Sequence, residues 1–513
     1  MLKNIIAPSN LLAIVGAFTL SFSLAWISNG YANVRGWFSF LVVLGLVTAL
    51  LWLGWRSLKA EAPPGWLLWL LVGAALLRLI LGVFWFVALP VWGYDTPVNQ
   101  AGYVMSDAFK RDQVAWEFAE SGDPLYWAFG NYSSTDQYGG LLFMSGLVYR
   151  YLGGAMHQPL LMVLLTAAFS ALGVLYTWAF TKRLWGQAVG QMAAWMFALY
   201  PDAVLLGSSQ MREAYLMALS MIAAYKILCY WKARTRIDLI WVGGALALSV
   251  LISPPFAALL CGLLVVEVLA LSKWRLLSDR RFWIITVSFF VVGAVIFVLI
   301  VPNAFSWFEV GRWQKYVSES ASGWVERQFE RMVEWTHVPF LLAYGVFRPL
   351  LPSALIANGA PIWRAIGVWR ALGWTLLLAL LLYATLLSVR RMDKRRVAGS
   401  LLMVIWAYIL IASYRGGGDL WDNPRYRAIF LGIQVALAAW AWAKQRELND
   451  PWLRRAIGAA AMIVLWFIPW YLRRYAVLPF EWSVVDLPDV LGLGFFSAAL
   501  FTIWDWAREE FVR

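Results

Sequence analysis

Apolar segments of roughly 17 to 25 residues recur along the whole chain, the length needed to cross about 30 Å of hydrocarbon at 1.5 Å per residue. They lie near 11 to 28, 37 to 55, 66 to 90, 158 to 180, 188 to 206, 214 to 231, 238 to 253, 256 to 271, 282 to 301, 365 to 389, 398 to 414, 427 to 443, 453 to 472 and 489 to 505. Such a pattern predicts an all-α polytopic membrane protein with about fourteen transmembrane helices. The composition agrees, with 62% hydrophobic and only 14% charged residues, and no soluble domain is visible. The 34 Trp and 21 Tyr suit a chain with many water–lipid boundaries, where amphipathic rings settle at headgroup level.

Basic residues then set an orientation. The formal charge of +13 comes from 42 Lys and Arg against 29 Asp and Glu, and such an excess marks cytoplasmic loops beside anionic lipid rather than a nucleic-acid surface. Lys3, Arg56 with Lys59, Lys182 with Arg183, the group from Lys226 to Arg236, the group from Lys273 to Arg281, the run from Arg390 to Arg396 and the group from Lys444 to Arg455 are all expected on the cytoplasmic side. Both termini then lie inside. The segment Gly139 to Ala155 is apolar, yet this arrangement requires it to lie along the outer surface. No cleavable signal peptide is evident, so the first apolar run reads as an anchor. Cys229 and Cys261 both sit in apolar runs, which excludes a disulfide framework or thiolate metal site.

The polar stretches gather on one face in this topology: residues 91 to 157, 207 to 213, 302 to 364 and 415 to 426 all face outward. The chain divides into an N-terminal hairpin (1–65), a central module (66–301) whose first outer loop is 91–157, an outer amphipathic loop (302–364), and C-terminal spans (365–513) with an outer loop at 415–426. In the first loop a helix is expected after Asp107, a good N-cap residue, because Met105, Ala108, Phe109, Ala115, Trp116 and Ala119 recur at helical spacing. Asp112 falls within that apolar stripe. One reading makes Asp107 a cap and Asp112 a solvated residue; the other makes them chemical groups. Residues 309 to 335 alternate charges with Trp313, Tyr316, Val317, Phe329 and Met332, the pattern of amphipathic helices flat on a membrane. Pro254 and Pro255 are expected to separate two short spans.

The order of features beginning with intramembrane Arg78 and Asp107, then Ala115, FAESGDP and YGGLLFMSGLVYRYLGG, resembles the first luminal or periplasmic loop of the C-type glycosyltransferase (GT-C) fold. Within that fold it is most similar to glycosyltransferase family 39, the protein mannosyltransferase and aminoarabinose lipid A transferase type. FTKRLWGQAVGQMAAWMFALYP followed by SSQMREAYLMAL is similar to that family's basic turn, proline-ended span and next acidic position. The likeness runs over roughly residues 66 to 300 and, more weakly, the NPRYR segment. One departure is Ala108, where many relatives carry a second acid. Asp112 or Glu213 supplies the missing carboxylate, or the site works with one acid, or activity has been lost.

The resemblance implies a GT-C-like bundle with extracytoplasmic juxtamembrane helices, transferring a sugar from a polyprenyl-phosphate donor to a lipid, glycan or protein acceptor at the outer face. Asp107 is then the candidate base, with Asp112 and Glu213 in support. Arg415, Arg425 and Arg427, in SYRGGGDLWDNPRYR, would hold the donor phosphate, with Gly416, Gly417 and Gly418 allowing close backbone approach. These arginines also read as residues snorkelling to headgroups, with Asp419 and Asp422 neutralising them. Arg78 is a further phosphate-binding candidate, snorkelling being its alternative. There is no Walker motif. No cofactor is implied with certainty, although a divalent cation fits such chemistry; His157 and His337 are too far apart in sequence to suggest a metal site and read as interfacial. The rival functions are a transporter or flippase of lipid-linked sugar and an inactive structural subunit of a membrane assembly. Asp107 and the arginines after Pro424 are expected to meet in one pocket at a prokaryotic cell membrane.

Overall fold

A computed structural model describes residues 8–29, 34–130, 135–153, 156–300, 323–349, 354–355, 359–390, 396–416, 421, 423–475 and 487–512. Among them every regular element is helical. Lys3, Trp313, Tyr316, Val317, Arg391, Lys394, Arg395, Gly417, Gly418, Asp419 and Asp422 lie outside the described residues. The elements run α1 (Pro8–Asn29), α2 (Val34–Ser57), α3 (Gly65–Trp92), α4 (Pro97–Gln100), α5 (Ser106–Ser121), α6 (Gly140–Leu152), α7 (Pro159–Trp185), α8 (Gln187–Leu199), α9 (Pro201–Gly207), α10 (Arg212–Ala233), α11 (Arg236–Ile252), α12 (Pro254–Leu271) and α13 (Arg280–Ile300). They continue as α14 (Gly323–Arg331), α15 (His337–Phe347), α16 (Pro361–Arg390), α17 (Arg396–Arg415), α18 (Leu431–Leu448), α19 (Trp452–Tyr475) and α20 (Leu487–Val512), with a 3₁₀ helix over Asn423–Phe430.

Ten helices among the described residues are long and apolar enough to cross a membrane, so the chain is an integral membrane protein. Prolines punctuate them: Pro97, Pro201 and Pro254 each stand in the first turn of a helix, where the missing N–H has no intrahelical partner to lose. Ser253 is extended between α11 and α12, as the proline pair requires. The run expected as one straight span at 188 to 206 is instead two helices, α8 and α9, meeting at 52°. Pro201 is the cause: it pushes Tyr200 to φ −62°, ψ 127° and removes an amide from the ladder.

The described residues fall into two compact units, one within Met1–Phe180, Phe197–Arg312 and Ala428–Gly432, the other within Thr181–Met196, Trp313–Arg427 and Ile433–Arg513. In the first, α5 packs along α6, α10 along α11 and α12, and α3 against α9. Helix α6 has 13 residues, about 20 Å at 1.5 Å per residue, too short to span. Its start demands glycine twice. Gly139 has φ 75°, and a Cβ there would stand 2.1 Å from the Ala128 carbonyl oxygen; a Cβ on Gly140 would stand 1.9 Å from that of Leu251. The Asp136 carboxylate accepts hydrogen bonds from the Leu141 and Leu142 amides (3.1 and 2.9 Å), satisfying the exposed donors of that helix end.

In the second unit, α15 packs on α17, α16 on α17 and α19, and α19 along α20. The described part of the outer amphipathic segment is α14. Val325 is buried and Phe329 packs with it against Leu341, Phe340 and Tyr344 of α15, because α15 offers a closer apolar surface. At the other end, Arg454 and Arg455 of α19 grip Asp505 of α20 at 2.9 Å and Glu509 at 2.8 and 2.7 Å.

Candidate active site

Helix α5 starts at Ser106, with Met105 at the N-cap and no side-chain capping bond. Asp107 is therefore not the cap expected from sequence but a first-turn residue, half-buried, its charge facing the partial positive end of the helix. Burial of Met105, which is 1% exposed, draws the helix start forward. Ala108 and Ala115 are buried on the predicted stripe, and so is Asp112, at 1% exposure. The solvated reading of Asp112 is overturned by that burial. Five positions separate it from Asp107, a rotation of roughly 140° about the helix, which is why one carboxylate points inward while the other stays at the edge.

A buried carboxylate needs partners, and Asp112 has three. The Tyr103 and Tyr149 hydroxyls donate to its two oxygens at 2.5 Å each, and His157 Nε2 lies 2.8 Å from Oδ2. His157 also stacks on Trp116, with ring centroids 5.5 Å apart. Burial, and then the charge of Asp112, hold both phenols protonated well above their ordinary range. The hub thus ties the loop before α5, helix α6 and the approach to α7 to one acid on α5. Beside it, Arg111 is buried and donates to the Gln210 carbonyl at 2.6 Å, while Lys110 is exposed. Arg150 of α6 closes the far end of α5, donating to the carbonyls of Phe118 (2.6 Å), Ala119 (3.3 Å) and Asp123 (2.6 Å) around the left-handed Gly122.

Arg78 is 0% exposed, so it does not snorkel. Its guanidinium donates to Ser170 Oγ at 3.1 Å, to the Ala74 carbonyl at 2.9 Å and to the Ala198 carbonyl at 3.3 Å. The last contact places a cation on the C-terminal end of α8 at the break before Pro201, where carbonyls lose their intrahelical donors. Glu213, in the first turn of α10, is buried with Arg212 Nε 3.9 Å from its carboxylate.

The arginines of the NPRYR segment belong to the second unit. Arg425 and Arg427 are 4% and 3% exposed, which overturns snorkelling for both. Arg427 Nη1 donates to the Gly345 carbonyl at 3.0 Å, and its guanidinium carbon lies 3.6 Å from the Trp374 ring centroid. Arg415 and Arg425 instead flank Tyr426, at 4.9 and 5.1 Å from its ring, and Arg425 donates to its hydroxyl at 3.2 Å. Arg427 lines a cavity together with Gly345, Arg348, Ser413 and Gly416.

Within the first unit, then, the structure holds Asp107, Asp112, Arg78 and Glu213, and within the second Arg415, Arg425 and Arg427. Sequence reasoning missed Tyr103, Tyr149, Arg150, Arg348 and the role of His157. Tyr149 and Arg150 sit inside a motif quoted for its order, and their regular helical spacing gives no sign of which distant atoms they reach. Among the described residues no group of three or more His, Cys, Asp or Glu side chains is placed to hold a metal ion.

No family model and no curated protein matches the chain. Among solved structures it is similar to the archaeal oligosaccharyltransferase AglB from Archaeoglobus fulgidus in complex with an inhibitory peptide and a dolichol-phosphate, at 13% identity and a TM-score of 0.42, over 85% of this chain and 56% of that one. It is also similar to the Archaeoglobus fulgidus oligosaccharyltransferase tethered with an acceptor peptide containing the NVT sequon, at 15% identity and a TM-score of 0.43, over 86% of this chain and 55% of the other. The chain spans about half the length of these structures.

Proposed function

We infer that the protein is a membrane glycosyltransferase of the GT-C type, moving a sugar from a polyprenyl-phosphate carrier to an acceptor nucleophile on the extracytoplasmic side. The observation that carries this reading is the division of labour between two carboxylates on α5. Asp112 is buried and occupied by three donors, whereas Asp107 stands half-buried in the first turn. A carboxylate enclosed by side chains leaves no room for an acceptor molecule, whereas one at a helix mouth and partly open to solvent can be reached by it. Asp107 accordingly takes the acceptor proton, and Asp112 positions the helix that carries it. One acid with a bracing partner on the same helix also fits Ala108 in place of a second acid.

The test is transfer assayed with purified protein and labelled polyprenyl-phosphate sugars. Asp107→Asn is expected to lower turnover by about 100- to 10,000-fold, the range for losing a general base. Unchanged turnover in Asp107→Asn removes the base assignment. Movement of the carrier across vesicles without any transfer points to the flippase reading instead. That rival draws on Glu267 of α12, buried in a span with no hydrogen-bond partner among the described residues.

A further inference from the structure

The acid at the centre of the hub reaches solvent through one side chain. Asp112 is enclosed and Tyr103 and Tyr149 are buried around it, whereas the His157 side chain is 28% exposed. Its imidazole is nevertheless fixed. Nε2 lies 2.8 Å from Asp112 Oδ2, the ring stacks on Trp116 at an interplanar angle of 27°, and it meets the Tyr149 ring edge-on with centroids 5.3 Å apart. All of these residues belong to the first unit. The titratable groups gathered at the ring are Asp112 from α5, Tyr103 from the loop before it and Tyr149 from α6. These partners decide which ring nitrogen carries the hydrogen. Both Asp112 oxygens accept from phenol hydroxyls and have no proton to give, so Nε2 is the donating nitrogen. The lone pair of the neutral ring is then on Nδ1. Among the described residues Nδ1 has no hydrogen-bond partner, and it stays open to solvent.

We propose that Asp112 and His157 form a carboxylate–imidazole dyad in which Nδ1 is a base for a ligand hydroxyl or amine arriving at the open side of the hub. The proton moves from the ligand's oxygen or nitrogen to Nδ1, and the electron pair of the broken bond stays on the ligand atom. The imidazolium so formed keeps its Nε2–H on Asp112, whose charge stabilises it across 2.8 Å. Stacking on the Trp116 face favours the same cation. Enclosure of Asp112 therefore does not end its chemistry, because His157 carries the influence of that charge outward. The chain's other histidine, His337, is built differently: its Nε2 faces the carbonyls of Phe329 and Met332 at 3.0 and 3.2 Å, and a neutral carbonyl does not stabilise an imidazolium as a carboxylate does. The dyad stands on its own geometry and needs neither Asp107 nor a sugar donor.

The test uses the full-length protein in phosphatidylcholine bilayers with isotopically labelled histidine. With two histidines in the chain, His157→Gln assigns both signals. Nitrogen resonance spectra in mildly alkaline buffer should show His157 with its hydrogen on Nε2. The second readout is acylation by diethyl pyrocarbonate, followed for each histidine by mass spectrometry. In that reaction the ring lone pair bonds to a carbonyl carbon, ethyl carbonate leaves with the electron pair, and the ring N–H proton is released. His157 should react faster than His337, and Asp112→Asn should slow it about tenfold, the smaller end of what losing a histidine's carboxylate partner costs. Tyr149→Phe takes one donor from Asp112 but leaves the imidazole contact, so most of the rate should survive. Hydrogen on Nδ1 in the unmodified protein overturns the proposal without any variant having to fold. Labelling of His157 no faster than of His337, or an undiminished rate in Asp112→Asn, also overturns it. An equal fall in Tyr149→Phe and Asp112→Asn would make the cluster purely structural and overturn it as well. No readout involves sugar transfer, so failure of the dyad leaves the Asp107 assignment standing, and failure of that assignment leaves the dyad.

Discussion

At the residue scale the decisive fact is that a buried charge must be satisfied. Asp112 carries three donors because a carboxylate at 1% exposure is tolerable only when hydrogen-bonded. Tyr149→Phe deletes one of them without adding volume. It should cost about 1.5 to 3 kcal/mol, the value of a hydrogen bond to a charged group, read as a lower midpoint of thermal unfolding in detergent. The same cluster fixes the alkaline limit. Phenols whose folded pKa is raised contribute stability that is complete below about pH 10, the unfolded value, and is lost as pH climbs toward the folded one. Absorbance at 295 nm should show tyrosinate from this pair appearing only with unfolding, and Tyr149→Phe should flatten stability between pH 10 and higher values. Tyrosinate appearing in folded protein would refute the burial argument.

At the scale of elements, arginines close helix ends. Arg150 takes three carbonyls at the C-terminus of α5, and Arg78 takes the carbonyl of Ala198 where Pro201 interrupts α8 and α9. Each positive charge meets the negative end of a helix in a poorly solvated place, where the interaction is stronger than at an exposed end. Arg150→Met keeps the length of the side chain and removes its donors. It should leave the first turn of α5, with Asp107, as protected as before and raise amide exchange in its last turn by about tenfold or more, following a loss of one to two kilocalories per mole at such an end. Uniform loosening of the whole helix would show that the Asp112 hub, and not the cap, depends on Arg150. This is also where the sequence was hardest to read. A helix and its apolar stripe follow from spacing, but Arg150 reaching back 27 to 32 positions, or Tyr103 turning onto Asp112 across a helix start, follows only from packing.

For the whole molecule, the charge pattern and the apolar runs jointly constrain topology. From the basic clusters we propose that loops 91–157, 302–364 and 415–426 lie on the side opposite Lys182, Lys232 and Arg446. With Cys229 and Cys261 replaced, single cysteines at Asp95 and Tyr126 should react with an impermeant maleimide added to intact cells. Cysteines at Lys182 and Lys232 should react only after permeabilisation. Labelling of the first pair from the cytoplasmic side would invert the arrangement and move Asp107 away from an extracytoplasmic acceptor.

The sequence by itself determined that this chain is a helical membrane protein and where most of its spans run. Those follow from local physics, because twenty apolar residues in a row have few stable alternatives to a membrane helix. Tertiary structure alone decided which charges are structural: that Asp112 is a hydrogen-bonded hub, that Arg78 serves a broken helix, and that Arg348 and not Arg415 shares a cavity with Arg427. A charged side chain acquires its role from the partners left after the backbone has packed, and no periodicity in the chain encodes contacts between residues so far apart.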